Sequence, residues 1–159
     1  MRRVLFVCLG NICRSPTAHG IFQQRVEEAG LGNRIHIDSA GTGDWHVGRP
    51  PDSRMQEAAL QRGYDLSPLR ARQVSADDFH HFHHVLAMDA SNLADLRDLQ
   101  PAGGAEPRLF LDYASGADIR EVPDPYYGGE AGFYHVIDLV EDAADGLLQV
   151  LKRELGESE

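Results

Sequence analysis

The residues with the clearest capacity for chemistry lie in one short stretch near the N-terminus. It follows a C-x5-R-S pattern and reads Cys8-Leu9-Gly10-Asn11-Ile12-Cys13-Arg14-Ser15. A cysteine thiolate is a strong nucleophile, and an arginine guanidinium offers a planar pair of donors that suits two oxygens of a phosphate group. The spacing therefore indicates attack by Cys8 on a phosphoryl group that Arg14 holds.

The backbone of this stretch supports the same chemistry. In a turn between a strand and a helix, successive N–H groups can point inward, and the helix N-terminus adds a positive dipole. Gly10 permits a tight turn and the close approach of an anion. Helix N-termini and neighbouring arginines also lower the pKa of cysteine from about 8.5, which favours the thiolate. The stretch lacks the Gly-Lys-Ser/Thr ending of a nucleotide-binding P-loop.

Hydrophobic patterns on either side predict the elements that hold this turn. Residues 4–7 form an apolar run typical of a strand covered on both faces. A helix follows, with Ser15 as its N-cap, Pro16 at its first position and Gly30 at its end. Further strands are predicted near 34–40, 84–88 and 108–111, and helices near 53–62, 91–99 and 133–151. Residues 75–78 are predicted to open a further short helix.

This alternation of strands and helices predicts an α/β fold with a parallel sheet covered by helices on both faces. In such folds ligands bind beyond the C-terminal ends of the strands. The turn that begins at Cys8 follows the first strand directly, and therefore occupies that edge.

Composition narrows the function further. The chain has 159 residues, which predicts a single domain over 1–159, and its net charge is −10. An acidic balance argues against binding to nucleic acid or to anionic membranes. Two cysteines are too few for a disulfide framework or an all-cysteine zinc site. The apolar run 4–9 is too short for a signal peptide or a membrane span, which favours a cytoplasmic protein.

Five segments of the sequence resemble the low-molecular-weight protein tyrosine phosphatase family. They are VCLGNICRSP, SAGTGDWHVGRPPD (39–52), ARQV (71–74), AMDASNL (87–93) and VPDPYYGG (122–129). The resemblance implies a single-domain flavodoxin-like fold with a four-stranded parallel sheet and about five helices. It also implies a cysteinyl-phosphate mechanism with no metal or cofactor, phosphotyrosine-containing protein substrates, and inhibition by phosphate-like oxyanions.

The same resemblance implies roles for individual residues of the site. Cys8 is the nucleophile, Arg14 binds the phosphoryl oxygens, and Ser15 donates a hydrogen bond to the Cys8 sulfur. Transfer of the phosphoryl group leaves an oxide that needs a proton, and a carboxylic acid near it can supply one. Asp124, in the rigid sequence Pro123-Asp124-Pro125, is the expected general acid and later the general base.

Other side chains are expected to shape the mouth of the site. Leu9 and Ile12 are expected to form its apolar walls. In the family, the position of Trp45 and the pair at Tyr126 and Tyr127 line a deep slot for an aromatic ring. This slot favours phosphotyrosine, whose phosphate stands farther from the backbone than that of phosphoserine.

Two further residues of the turn are expected to act on its shape and its redox state. Asn11 is expected to hold the strained loop through polar contacts, with Ser39 as a candidate partner. Cys13 either packs the loop as a small apolar residue or forms a reversible disulfide with Cys8 under oxidants. The second interpretation is favoured, because peroxide attacks thiolates of low pKa.

Two departures from the resembling family and one histidine cluster stand out. Many members carry Glu where His19 stands, and many have a His near residues 68–69 that supports the loop. His80 and His84 have a spacing that can hold a metal in a helix, but a polar helix end leading into a strand is the favoured interpretation.

Individual residues argue against three alternative functions. Thiol-dependent arsenate reduction passes a disulfide to downstream cysteines, and none follows Cys13. Phosphoarginine phosphatases usually have Thr where Ile12 stands. An inactive phosphopeptide-binding module would not need the intact set of Cys8, Arg14 and Asp124. Tyrosine phosphatase activity is therefore the favoured function.

Overall fold

A computed structural model describes residues 1–115, 119–125 and 128–156. Strands and helices alternate along the chain. They are β1 (Arg2–Cys8), α1 (Arg14–Glu28), β2 (Ile35–Gly41), α2 (Ser53–Gln61), α3 (Asp78–His81), β3 (His84–Ala87), α4 (Ala90–Leu99), β4 (Arg108–Leu109), a 3-10 helix (Phe110–Tyr113) and α5 (Glu130–Glu154). No helix within the described ranges is long and apolar enough to cross a bilayer.

The strands form one parallel sheet in the order β2-β1-β3-β4. The predicted α/β fold, with four parallel strands and five α-helices in the described residues, is confirmed. β1 lies between β2 and β3 and is buried on both faces, which explains its uninterrupted apolar sequence. Cys8 pairs with Gly41 of β2, and Val7 pairs with Ala87 of β3. The turn after β1 therefore starts at the middle of the C-terminal edge of the sheet.

Helices cover both faces of this sheet. On one face α1 and α5 pack together, and Phe6 makes edge-to-face contacts with Phe22 at 5.8 Å and with Phe110 at 4.9 Å between ring centroids. The periodic apolar stripe of α5, including Val136, Val140 and Leu147, is buried here as its spacing predicts. The other face packs against α3 and α4. The turn after β1 therefore lies between the helices that cover the two faces of the sheet.

The structure corrects the boundaries of two elements that border the site. α1 begins at Arg14 with Cys13 at its N-cap position, so the prediction that Ser15 caps this helix is wrong. The Ser15 hydroxyl instead contacts the side chains of Cys8 and Asn11. β4 ends at Leu109 because its pairing with β3 stops at Ala87, and a 3-10 helix replaces the predicted end of the strand.

Candidate active site

The loop from β1 to α1 wraps around the sulfur of Cys8. The backbone N–H of Asn11 donates to Cys8 Sγ at 3.3 Å, and Ser15 Oγ lies 3.0 Å from the same sulfur. Ser15 is the second residue of α1, which starts two residues earlier than predicted. The thiol is buried and is surrounded by donors that would stabilise a negative charge.

Asn11 has a backbone conformation that an L-residue rarely adopts. Its φ is +58°, and it is the one non-glycine residue of the described chain with a positive φ. Its side chain holds this conformation, since Nδ2 donates to Ser15 Oγ at 2.7 Å and Oδ1 accepts from the backbone N–H of Arg72 at 3.0 Å. The expected contact with Ser39 is therefore wrong, because Ser39 Oγ pairs with His19 Nδ1 at 3.2 Å.

Arg72 is itself fixed by ion pairs and so anchors the strained residue of the loop. Its guanidinium contacts Asp38 at 3.0 Å and Asp78 at 3.1 Å. Asp38 lies on β2, and Asp78 begins α3. The conformation of Asn11 is thus tied through Arg72 to β2 and to α3. These contacts offset the free-energy cost of the positive φ of Asn11.

A second loop, after β2, closes against the first. Thr42 N donates to the carbonyl of Cys8, and Gly43 N donates to the carbonyl of Leu9, both at 2.9 Å. At Gly41 an added Cβ would lie 2.8 Å from the carbonyl oxygen of Leu9, so glycine is required by the close approach of the two backbones. The loop around Cys8 is therefore held from the side as well as from below.

Arg14 is buried at the first position of α1, and two hydrogen-bond acceptors and one further carboxylate orient its guanidinium. Nη1 donates to Asp89 Oδ2 at 2.6 Å and to the carbonyl of Val122 at 3.0 Å. Nη2 lies 3.7 Å from Asp124 Oδ2. A guanidinium fixed in this way is ready to bind an oxyanion without first losing side-chain freedom.

These groups line one cavity of about 420 Å³ at the C-terminal edge of the sheet. Its residues are Cys8, Leu9, Gly10, Ile12, Cys13, Arg14, Trp45, His46 and Asp124. A nucleophilic sulfur that accepts from the backbone N–H of Asn11, a fixed cation and a carboxylate share an enclosure with apolar walls. Such a set can bind an oxyanion ester, attack it and exchange a proton with the leaving group.

The sequence matches the family of low molecular weight phosphotyrosine protein phosphatases over residues 3–157. The chain belongs to this family. A low molecular weight protein-tyrosine-phosphatase of Streptomyces coelicolor is 44% identical over 158 residues, covering 96% of this chain and 95% of the relative.

Solved structures of phosphatases agree with the fold. A protein tyrosine phosphatase from Entamoeba histolytica with Hepes in its active site has a TM-score of 0.91 and 40% identity, covering 98% of this chain and 99% of that one. A Drosophila arginine phosphatase has a TM-score of 0.87 and 34% identity, covering 96% and 98%.

In this phosphatase-family chain, the structure brings together all the predicted site residues that lie in its described ranges. The cavity contains Trp45 and Asp124 together with six of the eight residues predicted for the phosphate-binding loop, and the other two, Asn11 and Ser15, contact the Cys8 sulfur from behind. Tyr126 and Tyr127, predicted for the rim, lie outside the described residues.

Cys13 and Trp45 both line the cavity. Cys13 is a buried free thiol, and burial, followed by the Asp52 carboxylate, raises its pKa well above the ordinary value. Trp45 is exposed at the mouth, where its ring covers Gly43 so closely that a Cβ there would overlap it. Their roles stay predictions.

Sequence reasoning missed three residues that shape the site. Asp89 orients Arg14, Arg72 anchors Asn11, and His46 lies over Gly10, where an added Cβ would be 3.0 Å from its Cδ2. Asp89 had a usable signal, since it lies two residues after the end of β3 and thus at the same sheet edge as Cys8. In the described ranges no group of three or more His, Cys, Asp or Glu side chains is placed to hold a metal ion.

Proposed function

We propose that this chain, as one catalytic domain over 1–159, hydrolyses phosphotyrosine monoesters in proteins through a phosphocysteine intermediate. The observation that carries the proposal is the position of Cys8 Sγ. It accepts from Asn11 N, contacts Ser15 Oγ, and opens into the cavity that also contains Arg14 and Asp124. Membership of the phosphotyrosine phosphatase family supports phosphoproteins as the substrates.

In the first step the Cys8 thiolate attacks phosphorus as the phosphate oxygens bind Arg14 and the backbone N–H groups of the loop. The S–P bond forms while the bond from phosphorus to the tyrosine oxygen breaks. Asp124, protonated at this stage, gives its proton to that oxygen, so tyrosine leaves as a neutral phenol. Positioning and electrostatic stabilisation supply most of the rate enhancement in such transfers.

In the second step water hydrolyses the phosphocysteine. The Asp124 carboxylate, now deprotonated, accepts a proton from the attacking water, whose oxygen binds phosphorus as the S–P bond breaks. Cys8 leaves as a thiolate, and the Ser15 hydroxyl at 3.0 Å can donate to that charge. Inorganic phosphate is released, and Asp124 is again protonated. Because phosphate and similar oxyanions fit the same donors, we expect them to inhibit the enzyme.

The walls of the cavity favour an aromatic substrate. Leu9, Ile12 and Trp45 supply apolar surface above the phosphate-binding groups, and we propose that Tyr126 and Tyr127 complete the slot. The likeness to an arginine phosphatase makes phosphoarginine the second candidate substrate. Ile12, at a position where the phosphoarginine enzymes usually carry Thr, favours tyrosine.

We further propose that Cys13 protects Cys8 from irreversible oxidation. Peroxide would convert Cys8 to a sulfenic acid with release of water, and the Cys13 thiol would then displace hydroxide, which leaves as water, to form a disulfide. The two cysteines flank the same loop and both are free thiols. Free thiols of this kind support a reducing, cytoplasmic location.

The proposed function is tested by measuring hydrolysis of phosphotyrosine, phosphoserine and phosphoarginine peptides by the wild type, Cys8→Ser and Asp124→Asn. We expect the wild type to prefer phosphotyrosine and Cys8→Ser to be inactive. Asp124→Asn should lose most activity on the peptide but less on an aryl phosphate with a good leaving group, which needs no proton. Glu28→Gln, an exposed change at the far end of α1, is the control. Activity of Cys8→Ser equal to that of the wild type would refute the mechanism.

A further inference from the structure

A second cavity of about 470 Å³ borders the proposed active site and shares two of its walls, Leu9 and Trp45. Its other side is formed by α4. We call it the α4 groove, and define it by the residues Leu9, Trp45, Val74, Asp95, Asp98 and Leu99. Because Leu9 and Trp45 stand between the two cavities, a ligand that fills the active site can extend over this ridge into the groove.

The α4 groove combines an apolar wall with two carboxylates. Leu9, Trp45 and Leu99 are 42%, 67% and 37% exposed, an unusual concentration of large apolar side chains at a surface. Asp95 and Asp98 are three residues apart on α4, so they lie on the same helical face. Apolar surface beside negative charge is complementary to a side chain with a hydrocarbon stem and a cationic end.

Both carboxylates are exposed at the surface of α4. In the described part of the chain, no hydrogen bond or ion pair involves Asp95 or Asp98, whereas Asp89 at the start of the same helix binds Arg14. Arg97 stands between them in sequence but faces elsewhere, because residues one or two positions apart on a helix do not face each other. The groove therefore presents two negative charges that a ligand can neutralise.

We propose that the α4 groove binds a lysine or arginine side chain of the phosphoprotein substrate, two or three residues from the phosphotyrosine. This inference rests on the proposed function. An extended peptide advances about 3.3 Å per residue, so such a side chain can cross the ridge while the phosphotyrosine occupies the active site. Its stem lies on Trp45 and Leu99, and its charge meets Asp95 and Asp98.

The expected preference is moderate because the carboxylates are exposed to solvent. Exposed ion pairs contribute about 0.2–1 kcal/mol each, so two of them correspond to a preference of roughly 2- to 30-fold in kcat/KM. Salt screens such pairs, and the preference should shrink as the ionic strength is raised. A glutamate at the same substrate position should be disfavoured by the same carboxylates.

The experiment compares phosphotyrosine peptides that carry Lys, Gln or Glu two or three residues from the phosphotyrosine, on either side. The test variant is Asp95→Asn/Asp98→Asn. The matched control, Glu27→Gln/Glu28→Gln, removes the same charge from the exposed end of α1, about 21 Å from Arg14 at 1.5 Å per residue. We expect the test variant to lose the Lys-over-Glu preference and the control to keep it, with unchanged hydrolysis of p-nitrophenyl phosphate by both.

Two results would overturn the inference. A preference that survives in the test variant would show that the groove does not read the substrate, and an equal loss in both variants would assign the preference to overall charge. If the wild type failed to hydrolyse p-nitrophenyl phosphate, the proposed function would fail separately. Binding of the same peptides to Cys8→Ser protein, followed by fluorescence anisotropy, measures the groove independently of turnover.

Discussion

Replacing Asp89 by Asn tests whether the orientation of Arg14 depends on a carboxylate outside the loop. The two oxygens of Asp89 have separate tasks. Oδ2 accepts from Arg14 Nη1 at 2.6 Å, and Oδ1 accepts from Asn92 N at 2.8 Å as the N-cap of α4. An asparagine has one acceptor oxygen, so it can serve the cap or the guanidinium but not both. If it serves the cap, its amide hydrogens face the guanidinium.

The magnitude follows from the burial of the pair. The side chain of Arg14 is 3% exposed and that of Asp89 is 23% exposed, so solvent replaces the lost partner poorly. A hydrogen bond to a charged group contributes about 1.5–3 kcal/mol. The upper values for breaking a buried ion pair, about 3–5 kcal/mol, do not apply because Val122 O and Asp124 remain close to Arg14. We expect a loss of about 1.5–3 kcal/mol.

Thermal unfolding and steady-state kinetics measure the two consequences. For a chain of this size that loss lowers Tm by roughly 3–12 °C. A guanidinium displaced by about 1 Å should lower kcat/KM for p-nitrophenyl phosphate by roughly 10- to 100-fold. Asp89→Ser keeps a side-chain acceptor for the cap but is too short for Arg14, and it should lose activity similarly.

The control is Asp98→Asn, an exposed change on the same helix, which should shift stability by less than about 0.5 kcal/mol. The reasoning would be refuted if Asp89→Asn matched this control in both Tm and kcat/KM. Arg14 would then be positioned by the helix, the Val122 carbonyl and Asp124 without help from Asp89.

Three other regions give further predictions. Gly41→Ala should inactivate the protein and lower its stability by about 1–3 kcal/mol, because its Cβ would meet the Leu9 carbonyl at 2.8 Å; activity comparable to the wild type would contradict this. Burial lowers the pKa of His19, so its contribution to the free energy of unfolding is complete above pH about 6.5 and is lost as the pH falls through the folded-state pKa. The free energy of unfolding, measured for wild type and His19→Asn across this range, should depend less steeply on pH in the variant. After peroxide, mass spectrometry should find a Cys8–Cys13 disulfide that thiols reverse, and a Cys13→Ser variant that recovers as fully as the wild type would exclude the protective role.

The parts of the fold that follow from local periodicity were predictable from sequence. The apolar run of β1 and the stripe of α5 have lengths and spacings that few other elements share, and together with the alternation of elements they led to the parallel sheet. Boundaries set by pairing were not predictable. β4 ends at Leu109 because β3 provides no further partner, and no residue of β4 itself records that limit.

The contacts of the site likewise include local ones that the sequence predicts and distant ones that it does not. The C-x5-R-S pattern brings its own residues together because they share one turn. By contrast, the contacts of Arg14 with Asp89 and of Asn11 with Arg72 join residues 75 and 61 positions apart, and they depend on the register of the sheet. The expected Asn11–Ser39 contact was wrong because Ser15, four residues from Asn11, accepts from the Asn11 side-chain amide, while Ser39 Oγ pairs with His19 Nδ1.

The proposed mechanism depends on transfer of the phosphoryl group to the sulfur of Cys8. The most direct measurement is mass spectrometry of protein quenched in denaturant during turnover of p-nitrophenyl phosphate. Asp124→Asn is the protein to use, because it should slow hydrolysis of the intermediate more than its formation. We expect one phosphoryl group on the peptide that contains Cys8, and none in Cys8→Ser. Turnover with no phosphorylated Cys8, or with the phosphoryl group on another residue, would contradict it.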